Sequence, residues 1–379
     1  MAYTMNLWIS TTRPDRGPFA LDTMQASSGK PLAITQGDAC GIGPEIILKA
    51  WRQAPQALQR CFVAGDVGTL QRSRDMLART APQVDWPALV PMASLDALSR
   101  VPLGTVAVLQ IGEPQPDLGW GGVHATAGRH AGDCVTWAAR AALRGDIAAL
   151  VTAPLHKEAL CAAGAPYDQF PGHTELLQYE AARHAGCALE DMPVRMMLAN
   201  EELRTVLVSI HVSLRQAIEA VTLDNVLQTL RVTHRALQAV IGRRPRITVA
   251  GLNPHAGEGG LFGSEEMTAI RPAIDQARLE GMRVEGPFPG DTIFMQARQS
   301  AHGADPVDAV IAMYHDQGLI PVKYLGVEQG VNVTLGLPLV RTSPDHGTAF
   351  DIAGRGLADP SSLLAAVRMA GQLTARNEQ

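Results

Sequence analysis

The chain has 379 residues, 46% of them apolar, a size and composition typical of a globular protein with two domains. Its formal net charge of −5 excludes a general binder of nucleic acid or anionic membranes, because such proteins present a basic surface. Five cysteines without a CxxC pair indicate a reduced, cytoplasmic protein, and no apolar run is long enough to span a bilayer.

The first segment, residues 1–30, contains charged side chains and no continuous apolar stretch, so it does not read as a secretory signal. We expect it to be a poorly ordered extension, with Met24 as an alternative start of translation. Little of the function is expected to reside in this segment.

Strand-like and helix-like segments alternate from residue 31 onward. Four apolar runs predict strands, at residues 32–35, 60–64, 104–111 and 147–152. A helix is expected at residues 131–143, between the last two of them. This alternation predicts an α/β architecture with right-handed crossovers, in which helices cover a largely parallel sheet.

The middle of the chain departs from this alternation. Two apolar runs, residues 194–198 and 204–210, flank Asn200-Glu201-Glu202 and predict an antiparallel hairpin. The remaining predicted elements are a helix at residues 225–241, strands at 247–251, 307–313 and 331–335, and a last helix at 361–373. No repeat or linker marks a domain boundary, so the two halves can share strands.

Three histidines each follow an apolar, strand-like run: His211, His255 and His315. Ligands of open α/β sheets bind beyond the carboxyl ends of the strands, so these side chains are expected to converge. Three neutral imidazoles can hold Zn²⁺ and leave one coordination position for a substrate, although three capped loop histidines fit the same spacing. Asp291 and Asp316 could orient the imidazoles or favour Mg²⁺ or Mn²⁺ instead, and each is equally explained as a turn or cap residue.

A second group of residues is suited to an anionic ligand. His173 and Thr174 precede a helix-like stretch whose N-terminus favours an anion, although an ordinary threonine cap fits equally well. Lys323, Asn332 and Arg341 interrupt otherwise apolar runs. If the two cations are buried they need acidic partners, which an acidic substrate would supply, and surface salt bridges are the alternative.

A polar, glycine-containing loop is expected at residues 345–356. Its candidate ligand-binding positions are Asp345, His346, Gly347, Thr348 and Asp351. Such a loop is unfavourable to order unless its backbone approaches a ligand closely, and a flexible surface loop is the alternative. No G-x-G-x-x-G follows a strand with an acidic partner downstream, and no P-loop, G-x-S-x-G or H-E-x-x-H motif occurs.

Two glycine-rich segments resemble the isocitrate/isopropylmalate dehydrogenase superfamily: GDACGIGPE at residues 37–45 and HGTAFDIAG at residues 346–354. Within that superfamily, the chain resembles the 4-hydroxythreonine-4-phosphate dehydrogenase family from about residue 32 to residue 375. The matching segments are TAPLHKEAL, GHTELL, GLNPHAGEGG, GPFPGDT, AMYHDQG, VKYLG, GVNVTLGLP and RTSPDHGTA.

The resemblance implies two α/β domains with a cleft between them. Residues 31–165 with 340–379 would form the first, discontinuous domain, and residues 166–339 the second, which would carry the interface of a homodimer. Active sites would be built by both subunits. The implied metal ligands are His211, His255 and His315, and the implied substrate-binding residues are His173, Thr174, Lys323, Asn332 and Arg341. The segment Asp345–Gly354 would hold NAD or NADP.

The activity implied by the resemblance is oxidation of 4-hydroxy-L-threonine 4-phosphate, a step of pyridoxal phosphate biosynthesis, with NAD or NADP and a divalent metal. Decarboxylation then gives 3-amino-2-oxopropyl phosphate. Zinc is the expected metal, with Mg²⁺, Mn²⁺ or Co²⁺ as alternatives. Lys157, Asp291 and Asp316 are the candidate catalytic residues.

Several departures from the family pattern leave other functions open. Ala39-Cys40 replaces Pro-Ala, TAPLHK replaces TGPVHK, and HVSL replaces HLPL. With GHTELL, these traits resemble a sister branch that acts on D-erythronate or D-threonate 4-phosphate. A zinc lyase or aldolase without nicotinamide and a metal-dependent sugar-phosphate sensor are the alternatives of other classes.

Overall fold

A computed structural model describes residues 29–326 and 329–375 of the chain. Apart from residues 29 and 30, the predicted N-terminal extension therefore lies outside the described residues. Twelve strands of the described residues form a single mixed sheet, and eleven α-helices pack against it. None of these helices combines the length and apolarity that a bilayer crossing requires.

The strands are β1 Leu32–Thr35, β2 Cys61–Gly65, β3 Leu89–Met92, β4 Val106–Gln110, β5 Ala149–Thr152, β6 Arg195–Ala199, β7 Arg204–Leu207, β8 Arg246–Ala250, β9 Arg283–Phe288, β10 Ala309–Ala312, β11 Val331–Leu335 and β12 Val340–Pro344. The helices are α1 Gly43–Gln53, α2 Val67–Thr80, α3 Ala125–Leu143, α4 Lys157–Ala162, α5 His173–Ala185, α6 Leu214–Glu219, α7 Leu223–Ile241, α8 Arg271–Leu279, α9 Ile293–Ser300, α10 His315–Tyr324 and α11 Ser361–Thr374.

The sheet has the order β3-β4-β2-β1-β5-β12-β11-β6-β7-β10-β8-β9. The pairs β12–β11, β11–β6 and β6–β7 are antiparallel, and all other neighbouring pairs are parallel. The predicted hairpin is thus confirmed as β6–β7. The sheet consists of two parallel halves joined by an antiparallel centre.

The predicted domain boundaries follow this division of the sheet. Strands from residues 31–165 and 340–379 occupy the half that ends with β12, and strands from residues 166–339 occupy the half that begins with β11. The sheet is continuous across β12 and β11, so the separation into two domains stays a prediction.

Burial on both faces explains why the parallel strands are short apolar runs. In β1, Leu32 and Ile34 join an apolar cluster that includes α1, α7, α8 and α11, whereas Ala33 joins a second cluster that includes α3 and α5. Strands β5 and β10 are likewise buried throughout. The helices therefore cover both faces, and the loops at the strand ends are left to bind ligands.

Candidate metal and anion site

The three histidines predicted to bind metal follow three neighbouring parallel strands. β7, β10 and β8 lie side by side, and His211, His315 and His255 come after them in that order. The rings of His211 and His315 have their centroids 5.7 Å apart and their planes tilted by 44°. One cation can lie between two such rings, because a ligating ring nitrogen lies about 2.0–2.1 Å from zinc.

The backbone of the loop that carries His255 is left-handed. Non-glycine residues with positive φ in this loop are His255 (54°), Ala256 (52°) and Glu258 (44°). Each such residue costs about 1–3 kcal/mol, and strained backbone of this kind concentrates at functional sites. A π-helical turn, Glu266–Ile270, follows the loop, and π-helical turns are also frequent at such sites.

The carboxylate of Glu266 holds this loop in place. Glu266 is 1% exposed, and its Oε1 accepts hydrogen bonds from the backbone N–H groups of Leu252 (2.8 Å) and Asn253 (2.7 Å). Its Oε2 accepts from the side-chain amide of Asn253 at 2.9 Å. A buried carboxylate thus fixes the approach of the chain to His255.

The structure brings two of the three histidines together in one chain. Among residues 29–326 and 329–375, no three His, Cys, Asp or Glu side chains gather closely enough to hold a metal. His255 instead borders an open cavity of about 620 Å³ with Asp291 and Asp316. All three of these side chains are exposed. Whether the three imidazoles share a metal therefore stays a prediction.

His211 has the protonation that metal binding requires, and Asp316 orients the neighbouring ring of His315. Burial lowers the pKa of His211, and the positive charges of Lys157 and His315 lower it further, so the ring is neutral near pH 7. Nδ1 of His315 lies 2.7 Å from Oδ1 of Asp316, which leaves Nε2 of His315 for a ligand. The neutral ring of His211 and the carboxylate-oriented ring of His315 fit a divalent metal.

Arg341 is a buried cation with neutral partners. It is 6% exposed, and its guanidinium donates to Oγ1 of Thr152 (3.1 and 2.7 Å) and to Oγ1 of Thr334 (3.1 Å). No carboxylate forms an ion pair with it in the described part of the chain. Burial lowers the pKa of Arg341 to about 10, still far above neutrality. A permanently charged, buried guanidinium of this kind calls for an anionic ligand.

His173 lies beside Arg341 at the start of α5. Its Nε2 is buried without a hydrogen-bond partner among the described residues. Burial holds the pKa of His173 well below its usual value, and Arg341 and Lys157 lower it further. Thr174 lies inside the first turn of the helix, whose N-cap is Gly172, so the interpretation of a threonine cap is wrong.

Lys157 connects the anion-binding residues with the imidazole pair. A Cβ atom on Gly172 would lie 3.7 Å from Cε of Lys157. The charge of Lys157 lowers the pKa of both His173 and His211, although burial is the larger cause for each. The predicted catalytic lysine is therefore close to both groups, and its side chain is exposed.

Lys323 and Asn332 contact a residue that was predicted to bind the cofactor. Nζ of Lys323 lies 2.9 Å from Oδ2 of Asp345, and Nδ2 of Asn332 donates to Oδ1 of Asp345 at 2.9 Å. Asn332 lies on β11 opposite Ser343 of the paired strand β12. Arg341, also on β12, contacts Thr334, which lies two residues beyond Asn332 on β11. The predicted substrate residues thus form two clusters.

The two glycine-rich segments pack against each other. The backbone N–H of Ile42 donates to the carbonyl of Thr348 at 3.0 Å, and a Cβ on Gly41 would lie 3.0 Å from the side chain of Thr348. Phe350 stacks on His156 with a centroid separation of 4.6 Å. The loop predicted to hold the cofactor is therefore supported by the loop after β1.

The remaining residues of that loop are less constrained. Nδ1 of His346 contacts the carbonyl of Gly347 at 3.1 Å, and its Nε2 is buried without a partner among the described residues. Asp351 and Gly347 are exposed. An unsatisfied imidazole nitrogen and exposed polar groups leave this loop able to accept a ligand.

Three further residues at these loops had no role assigned from the sequence. Asp38 is fully buried with Oδ2 unpartnered within the described residues, and burial raises its pKa. Its place in GDACGIGPE was a usable signal, as was the place of Gln317 in AMYHDQG. Glu266 gave no signal, because a carboxylate 11 residues after His255 has no recognisable spacing.

A model of the family described as pyridoxal phosphate biosynthetic protein PdxA matches residues 57–370. A 4-hydroxythreonine-4-phosphate dehydrogenase of Beijerinckia indica is 48% identical over 349 residues, which cover 90% of this chain and 95% of the relative. A D-threonate 4-phosphate dehydrogenase of Salmonella typhimurium is 43% identical over 345 residues, or 91% of this chain and 99% of the relative.

The fold is similar to that of a solved structure. The crystal structure of 4-hydroxythreonine-4-phosphate dehydrogenase from Klebsiella pneumoniae has a TM-score of 0.79 and 40% identity, and the match covers 92% of this chain and 99% of that one. The predicted α/β fold is confirmed by this similarity and by the twelve-stranded sheet.

Proposed function

Because the chain belongs to the family of the pyridoxal phosphate biosynthetic protein PdxA, we propose that it oxidises a small phosphorylated hydroxy acid. The substrate is 4-hydroxy-L-threonine 4-phosphate, and the oxidised acid loses carbon dioxide to give 3-amino-2-oxopropyl phosphate. The name of the Beijerinckia indica relative supports this substrate, and its identity of 48% extends over 90% of the chain.

The observation that carries the proposal is the buried guanidinium of Arg341, whose charge lowers the pKa of His173, together with the unpartnered Nε2 of His173. A guanidinium binds a phosphate or carboxylate through two parallel hydrogen bonds. The first turn of α5, with Thr174, adds backbone N–H groups and the positive end of a thirteen-residue helix. These residues hold one anionic end of the substrate.

Residues around the imidazole pair place the reacting carbon. His211 and His315 bind a divalent metal, with Asp316 orienting His315 and zinc favoured by the nitrogen donors. His255 completes the set from a second copy of the chain, which is why the proposed enzyme is a homodimer with shared sites.

When bound, the metal supplies Lewis acidity and NAD or NADP supplies the oxidant. Lys157, exposed and close to His211, first loses a proton to solvent and then takes the proton of the substrate hydroxyl. Lys323 and Asn332, oriented by Asp345, hold the second polar end of the substrate. The loop with His346, Gly347, Thr348 and Asp351 holds the adenosine part of the cofactor, and Asp291 lines the cavity beside His255.

A panel assay tests the proposal. The purified chain is mixed with one of three acids (4-hydroxythreonine, erythronate or threonate 4-phosphate), with NAD or NADP, and with Zn²⁺, Mg²⁺, Mn²⁺ or Co²⁺. We expect the absorbance of reduced nicotinamide to appear with 4-hydroxythreonine 4-phosphate. A lyase, an aldolase or a sugar-phosphate sensor would give no reduced cofactor with any acid.

A second substrate is favoured by specific observations. The Salmonella typhimurium relative named D-threonate 4-phosphate dehydrogenase is 43% identical over 99% of its own length. The segments TAPLHK and HVSL of this chain resemble the branch that acts on such acids. In this alternative the same anion and metal residues act on D-threonate or D-erythronate 4-phosphate. The ratio of kcat/KM values in the panel decides between the substrates.

A further inference from the structure

A short hydrogen-bond network links the strand ends that carry the three histidines. Oγ of Ser209 donates to the carbonyl of Met313 at 3.0 Å, and the N–H of Met313 donates to Oε1 of Gln317 at 2.7 Å. Nε2 of Gln317 then donates to the carbonyl of Gly251 at 2.7 Å. The network starts two residues before His211 and ends four residues before His255.

Gln317 lies where two neighbouring strands stop pairing. The ladder between β10 and β8 ends with Ile311 opposite Val249. Beyond that pair, the N–H of Met313 and the carbonyl of Gly251 face the side-chain amide of Gln317. Backbone groups in such a position need another partner, and a primary amide supplies one acceptor and one donor together. Gln317 therefore takes the place of a peptide group between the separating strands.

We propose that Gln317 is a positioning residue that holds in place both His315 and the loop carrying His255 of the same chain. Both of its partners are rigid backbone groups, and Gln317 itself is half-buried on the first turn of α10, two residues after His315. The inference rests on the proposed function: in a homodimer with shared sites, Gln317 of one chain would position His315 in one metal site and His255 in the other.

Two variants separate this role from simple packing. Gln317→Glu keeps the size and one acceptor, but it places a carboxylate oxygen against the carbonyl of Gly251, where the native donor stood. Gln317→Met keeps the length and removes both hydrogen bonds. Gln299→Glu, at an exposed position on α9, is the control for added charge in the same half of the sheet.

The readouts are titration of the full-length protein with Zn²⁺ alone and the visible spectrum of its Co²⁺ complex. Residues that orient metal ligands typically contribute about 10-fold to 100-fold to affinity, and we expect that loss in both Gln317 variants. The Co²⁺ spectrum should change in both variants and remain native in Gln299→Glu. Circular dichroism verifies folding, and Gln317→Met carries the test if Gln317→Glu does not fold.

Native affinity and a native Co²⁺ spectrum in a folded Gln317 variant would overturn the inference while leaving the proposed function intact. Absence of metal binding by the unaltered chain would instead overturn the proposed function, and this inference with it. The two failures are therefore distinguishable in one set of titrations.

Discussion

Nη2 of Arg341 donates a 2.7 Å hydrogen bond to Oγ1 of Thr152, on the neighbouring strand β5. A threonine hydroxyl orients a guanidinium without neutralising it, and no carboxylate of the described residues forms an ion pair with Arg341. Burial lowers the pKa of Arg341, and the charge of Glu175 raises it. We propose that this arrangement favours a planar, two-point anionic partner.

Replacing Arg341 with lysine should weaken substrate binding. The variant keeps the charge but loses the planar pair of donors, which is worth about 1.5–3 kcal/mol, or roughly 10-fold to 150-fold in kcat/KM. Steady-state kinetics with varied phosphorylated acid would measure the change. An Arg341→Lys enzyme with native kcat/KM would show that the guanidinium does not bind the substrate.

The stability of the protein should depend on pH through His173. Its folded pKa is well below the ordinary value of 6.5, because burial and then Arg341 and Lys157 disfavour the imidazolium. As pH falls below 6.5, the unfolded chain binds a proton that the folded chain refuses, so stability falls. Above pH 6.5 the imidazole is neutral in both the folded and the unfolded chain, so the stability that is lost on acidification is fully present.

The corresponding measurement is the thermal midpoint of the unaltered chain and of His173→Gln between neutral pH and the acid range. The unaltered chain should lose more stability on acidification than the variant does. If the thermal midpoints of the two proteins fell in parallel with pH, His173 would have the same pKa in the folded and the unfolded state.

Replacing Glu266 with glutamine should destabilise the loop that carries His255. The new amide turns a donor toward Nδ2 of Asn253, where Oε2 accepted, and a buried group without its partner costs about 1–3 kcal/mol. Urea unfolding would measure the loss. Glu265→Gln is the matched control, since Glu265 is half-buried and also contacts Nδ2 of Asn253. If Glu265→Gln lowered the free energy of unfolding more than Glu266→Gln does, Glu266 would not be the carboxylate that holds the loop.

Much of the fold could be predicted from the sequence because local patterns and topology agree. Alternating apolar runs predicted β1, β2, β4 and β5, and the Asn200-Glu201-Glu202 turn predicted the β6–β7 hairpin. Helix α3 begins earlier than expected, at Ala125, because Gly128 and Gly132 weaken the helical pattern. Gly128 is needed there, since a Cβ atom would lie 1.9 Å from the carbonyl oxygen of Ala159.

The site was predicted only in part. Histidines at the ends of parallel strands are a local signal, and it identified the pair His211 and His315. The sequence could not show that Asp345 holds Lys323 and Asn332, because the orientation of side chains depends on long-range pairing of β11 with β12. The left-handed backbone at His255 was equally hidden, since it is imposed by contacts to a distant carboxylate.

We propose that the chain is a metal-dependent dehydrogenase whose product loses carbon dioxide. The most direct measurement follows reduced nicotinamide and carbon dioxide together, with 4-hydroxythreonine 4-phosphate as substrate, before and after removal of metal by a chelator. We expect equal amounts of both products, loss of both after chelation, and recovery when a divalent metal is restored. Full turnover by the chelated enzyme, or no reduced nicotinamide with any of the three acids, would contradict the account.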